Sequence, residues 1–239
     1  MLMVRIRASR LPLFALAFLV ACAGYVDQRT ENAIRDALPR LVGPAERYDV
    51  TVRGADAGGS RIDEVRAVGT RVQRTGAPVL ARVEVSLAEV AVDRIERRVT
   101  SIGRAAIALH LREQDLTEFL RRQEWVDSAA VRFTGADRVT IEGRLGVRGL
   151  PALSSPRAEL QGRLVPRGAQ LLLRIDAIRL GEGTAPPLMR RILEQTLNPI
   201  FDAADHAVPS QLDSVEARDG ELVIRASGSD LNLRRGSRP

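Results

Sequence analysis

The side chains able to do acid, base or metal chemistry are scattered along this chain. Its two histidines, His110 and His206, fall in different predicted elements. His110 alternates with alanines and reads as a strand residue satisfied by its neighbours, not as a general base. Asp202, Asp205 and His206 bring oxygen and nitrogen ligands close together, but a solvated helix terminus accounts for that cluster and no metal is expected. Asp63 and Glu64 are adjacent in a strand pattern, so their carboxylates point to opposite faces and cannot work as an acid and base pair. There is no Gly-x-Ser-x-Gly elbow. A phosphate loop ending in Gly-Lys is impossible, because all 36 basic residues are arginine. These residues predict a protein without catalysis, cofactor or metal.

The single cysteine, Cys22, offers another chemistry. Arg5, Arg7 and Arg10 give a positive start, and Leu11 to Ala21 form an apolar run too short to cross a ~30 Å hydrocarbon layer at about 1.5 Å per residue. The segment reads as an export signal. Leu19-Val20-Ala21-Cys22 resembles the processing site of bacterial lipoproteins, where a small residue precedes the cut and the thiol after it takes a diacylglycerol. The expectation is a lipoprotein signal peptide over 1–21 and an acylated Cys22, bearing chains such as palmitate, on a short tether over 22–24. A single domain over 25–229 and a basic tail over 230–239 would follow. Such a protein would be held at the extracytoplasmic face of an envelope membrane. Ala21-Cys22-Ala23 also satisfies ordinary signal cleavage before Gly24.

Guanidinium forks fit phosphates, so Arg121 and Arg122, just before Trp125, and Arg190 and Arg191 are candidate headgroup contacts, with plain solvated arginines as the alternative. Trp125 could anchor at a membrane interface or fill the core. The formal charge of +6 gives little support to nucleic-acid binding. Setting aside six terminal arginines and Asp230 leaves 30 bases against 29 acids in the body. Only Tyr25, Tyr48, Phe119, Trp125, Phe133 and Phe201 remain after the signal as stacking surfaces.

These residues must be positioned by a chain whose apolar period switches several times. A helical period over 26–42 gives a first amphipathic helix, bent or ended by Pro39. From Tyr48 to Leu111 the period is two, and after Ala88 the apolar set slips from Val83, Val85 and Leu87 to Val90 and Val92, the mark of a bulge. A short helix is expected over 113–122. Hairpins follow around Gly135-Ala136-Asp137, Pro166-Arg167-Gly168 and Asp219-Gly220, with a second phase slip near Asp176. Between the last two, a long amphipathic helix is expected over about 185–204, kinked at Pro199, with Leu188, Met189, Ile192 and Phe201 on its broad apolar face. Ser227 to Pro239 reads as a loose tail. The order argues for an α+β domain built on antiparallel strands.

The opening helix, the junction Leu111 to Leu120, the hairpin Val139 to Val147 and the ending Val208-Pro209 through Ile224 together resemble the LmeA-like phospholipid-binding family. The resemblance implies a strongly curved antiparallel sheet wrapped around a long amphipathic helix, leaving an apolar groove for a lipid. Leu188, Met189, Ile192 and Phe201 are the residues expected to contact acyl chains. The reading is therefore a non-enzymatic, membrane-anchored lipid binder. The alternatives are an anchored assembly module of the envelope with a closed core and no lipid ligand, and, less favoured, a hydrolase of envelope glycolipids.

Overall fold

The computed structural model describes residues 30–32, 34–36, 38–39, 42–56, 58, 60–73, 76–93, 98–123, 126–145, 157–202 and 211–232. Cys22, Trp125, Asp205 and His206 lie outside these residues.

Alternating Val, Ile and Leu build two antiparallel sheets. In the first, the spatial order is β1 (Arg47–Ala55), β2 (Arg61–Val72), β3 (Leu80–Asp93), β4 (Arg98–Arg112), β12 (Glu221–Asn232) and β11 (Gln211–Arg218). In the second it is β10 (Phe201–Asp202), β8 (Gln170–Leu180), β7 (Arg157–Arg167), β6 (Arg138–Leu145) and β5 (Val126–Phe133), with β9 (Gly183–Thr184) also pairing with β8. Among the described residues three helices accompany them: α1 (helical residues 30–32, 34–36 and 38–39), α2 (Glu113–Arg121) and α3 (Pro187–Leu197).

The expected sheet wrapped around a long amphipathic helix is wrong. Strands make up 66% of the described residues and helices 16%, and the helices are short. The predicted helix over 185–204 ends after eleven residues. Pro199 has no N–H and pushes its predecessor out of helical space, so Asn198 is extended at φ −96°, ψ 141°. Pro199 thus stops the helix instead of kinking it, and the chain returns as β10. At the other end, β12 runs on to Asn232 because β4 supplies a pairing partner as far as Ser101, so residues 227–232 are strand where composition suggested a loose tail.

Both predicted phase slips are present. Asp176 is an extra residue in β8, where the register jumps from Gly162↔Ile175 to Gln161↔Ala177. The other slip belongs to a row crossing five strands. The flanking registers set Gly54, Asp63, Glu89, Gly103 and Asp230 side by side, with left-handed φ at Gly54, Glu89 and Asp230. Across this row the buried parity switches: Ile62 gives way to Val65 and Ala67, and Val90 to Val85 and Val83. Gly103 is required there, because a Cβ would sit 2.8 Å from the Glu89 Cβ. Such interruptions bend strands and sharpen twist.

One apolar core joins both sheets, from Leu38 and Val50 through Leu109, Leu116 and Leu120 to Leu173, Ile178 and Ile224. The sheets meet where the β11 edge receives turns of the second sheet: Leu212 N–H donates to the Gly168 carbonyl, and Ala217 N–H to that of Ala136.

Candidate functional site

The helices are placed by hydrogen bonds to strand edges. An edge strand exposes a row of N–H and C=O groups that must find partners. Along α2, residues four apart answer this row on β5. Phe133 N–H donates to Glu113 Oε1 at 2.6 Å, Val131 N–H donates to Thr117 Oγ1 at 2.9 Å, and Arg121 Nε donates to the Ala129 carbonyl at 2.8 Å. The match is geometric: four helical residues rise about 6 Å, close to the roughly 6.8 Å of two strand residues.

The same rule places α3 on β8. Ile175 N–H donates to Glu194 Oε1 at 2.8 Å. One turn later Leu173 N–H donates to Asn198 Oδ1 at 2.6 Å, while Asn198 Nδ2 donates to the Leu173 carbonyl at 2.9 Å. Ile200 N–H then reaches the Leu171 carbonyl, and Ala185 N–H, at the other end, reaches that of Ile178. Glu31 of α1 likewise accepts from Val52 N–H on the β1 edge. The helices substitute for missing neighbouring strands.

This placement decides which face of α3 is covered. Leu193, Leu197, Ile200 and Phe201 pack against the core. Leu188 and Ile192, one turn apart, remain 65% and 51% exposed, and Met189 between them is half-buried. Of the four residues expected to meet acyl chains, two form an exposed aliphatic pair on α3, while Phe201 is half-buried on β10. Arg190 and Arg191 are exposed on α3. The other candidate headgroup residues lie at α2: Arg121 bonds Ala129, and Arg122 is 3.9 Å from Glu118.

The remaining polar candidates are held in ordinary contacts. His110 Nδ1 lies 3.0 Å from Glu221 Oε2, with Glu84 at 3.7 Å from Nε2. Asp202 accepts from Gln170. Asp176 receives two bonds from Arg163, which hold its carboxyl below the usual range, and Arg163 is correspondingly raised. Among the described residues, no group of three His, Cys, Asp or Glu side chains could hold a metal ion. No described helix is long and apolar enough to cross a membrane.

An open depression of about 550 Å³ lies where the β11–β12 turn meets the start of α2, lined by Arg112, Glu113, Gln114, Asp219, Glu221 and Val223 among others. Five of its eight lining residues are of charged type, and Val223 is the one aliphatic side chain among them. It is not the aliphatic groove expected for an acyl chain, and the exposed aliphatic surface of α3 stands elsewhere.

The model of the LmeA-like phospholipid-binding family matches residues 19–227, which takes in the second sheet, the described helices, the first sheet as far as Ser227 in β12, and the row of irregular residues up to Gly103. This chain belongs to that family. No curated protein and no solved structure matches it. Membership in the LmeA-like family gives a phospholipid as the class of ligand, but it names no residue that touches one. Composition missed the edge role of Glu113, Thr117, Glu194 and Asn198. The legible signal was polar residues spaced by four on helices flanking edge strands.

Proposed function

We propose that this protein is a non-catalytic lipid-binding component of the cell envelope, tethered to a membrane through acylated Cys22. Phospholipid acyl chains contact the aliphatic surface of α3 around Leu188, Met189 and Ile192, with Phe201 behind it, and Arg190 and Arg191 serve the headgroup. The observation that carries the reading is the family match over residues 19–227. The exposure of Leu188 and Ile192 supports it, since burying apolar surface yields about 25 cal/mol per Å².

Extraction of the purified protein followed by lipid mass spectrometry tests this. Phospholipid should be recovered in stoichiometric amount, and labelled phospholipid should be taken up. Failure of both removes the reading. A second reading, an anchored assembly module, is favoured by the closed packing of Ile62, Leu171 and Leu222, each nearly inaccessible to solvent. It predicts that Leu188→Asp with Ile192→Asp leaves lipid uptake unchanged; lipid binding at α3 predicts its loss.

A further inference from the structure

We infer that the outer face of the second sheet carries a phosphate-binding site formed by Arg138, Arg163 and Arg174. Its ligand is a phosphate group, free or borne on a lipid headgroup. The site stands apart from the acyl-chain contact proposed at α3 and does not depend on it.

The observation is one of register. Arg138 on β6 is directly opposite Arg163 on β7, and Arg163 is directly opposite Arg174 on β8. Residues so placed hold their Cβ atoms roughly 5 Å apart on one face, where like charges repel. Three arginines in line across three neighbouring strands are therefore unfavourable to the fold by themselves. The first sheet also exposes many arginines, but among its described pairs none faces another: Arg53 faces Glu64, Arg66 faces Thr51 and Ser86, and Arg112 faces Glu221. The second sheet has one more facing pair, Arg144 and Arg157, and there Glu142 closes an ion pair with Arg157.

The acids of the row leave two of its arginines open. Arg163 donates to Asp176 from Nε and from Nη2, each at 3.0 Å. These bonds, with the charges of Arg138 and Arg174 beside them, hold the Asp176 carboxyl below its usual range, and Asp137 acts on Arg163 as well. Arg138 and Arg174 are exposed, and neither makes a side-chain hydrogen bond or ion pair among the described residues. The neighbouring cross-strand pairs are uncharged, Thr140 with Gln161 on one side and Val165 with Leu172 on the other. Arg132, opposite Thr140, adds a further guanidinium on the diagonal.

A guanidinium carries five donors in a planar fork that matches a phosphate. Asp176 occupies the Nε and Nη2 side of Arg163 and so fixes the direction of its remaining Nη1 donors, with Arg138 and Arg174 to either side. Phosphate oxygens point in several directions and can accept from more than one fork, as a planar carboxylate does less readily.

Calorimetric titration with inorganic phosphate at fixed ionic strength tests the site, using the full chain carrying Cys22→Ala to remove the acylation site. Saturable binding is expected. Arg138→Gln and Arg174→Gln should each weaken it roughly fivefold. The same variants should leave the denaturant midpoint unchanged or raise it, because each relieves like-charge repulsion. Arg61→Gln, at an exposed arginine facing Ala91, should not alter phosphate affinity. Sedimentation with phosphatidylcholine vesicles, with and without phosphatidic acid, separates the two sources. Binding that needs phosphatidic acid, is displaced by inorganic phosphate and is weakened by Arg138→Gln marks a headgroup. Phosphate binding, with sedimentation that these variants leave unchanged, marks a free phosphate. Either result supports the site. Four results overturn it: no saturable binding of phosphate or of phosphatidic acid vesicles, full affinity in both row variants, equal loss from Arg61→Gln, or a lower midpoint in both row variants, which would mark the row as structural. Lipid extraction reads the α3 contact separately, so either claim can fail while the other stands.

Discussion

The Asn198 carboxamide pairs with both backbone groups of Leu173, accepting from its N–H at 2.6 Å and donating to its carbonyl at 2.9 Å. A side chain thus does what a neighbouring strand would do. Leu173 is among the most buried residues of the core, so these backbone groups have little access to water. Asn198→Ala should cost about 2–3 kcal/mol, because two groups lose their partner at once. Denaturant unfolding checks the magnitude, and hydrogen exchange should show faster exchange at the Leu173 amide.

The α2 edge gives a parallel case with a cleaner isostere. Thr117→Val keeps the side-chain shape and removes the acceptor of the Val131 N–H. The expected loss is about 1–2 kcal/mol. Glu113→Gln keeps an acceptor for Phe133 and should cost less than Glu113→Ala. Equal stability of all three variants would mean that these bonds do not hold α2 in place.

Tyr48 predicts an alkaline limit. Its hydroxyl donates to the Gly43 carbonyl at 2.6 Å, and burial pushes its pKa up to about 12 from 10.0. The folded state therefore keeps a proton that the unfolded state has lost above pH ~10. The contribution of this group is intact below the unfolded value and declines as pH rises from about 10 towards 12. Tyr48→Phe should remove a tyrosinate absorbance step near the upper value and flatten stability over that window.

Leu188 and Ile192 separate stability from function. Both are more than half exposed, so Leu188→Ser and Ile192→Ser should change unfolding free energy by no more than about 0.5 kcal/mol each. Lipid uptake should nevertheless fall. A large loss of stability instead would mean that this face is covered by another part of the chain.

The proposed anchor is tested at one atom. Wild-type protein should begin at Cys22, carry acyl mass and partition with membranes, and Cys22→Ala should abolish that mass. Intact mass spectrometry decides it: an unacylated product beginning at Gly24 would show that ordinary signal cleavage is used.

Sequence determined the strands, their turns and their phase slips, because alternation between a wet and a dry face is written residue by residue. Val85 against Val90, and Ile175 against Ile178, report a change of inward parity whatever the strands pair with. It also carried the family resemblance. What it could not determine was the place of the helices. The apolar stripe of α3 looked like the face of a central helix, since a stripe records only that a surface is apolar. Whether that surface meets a sheet or faces solvent depends on which strand ends up at an edge. Here the edge is the stretch of β8 between its short pairings with β10 and β9; its free backbone groups needed partners, and Glu194 and Asn198 supplied them. Half of the stripe was thereby turned inward, and Leu188 and Ile192 were left outside. That outcome is a long-range pairing decision, and only the assembled sheet makes it.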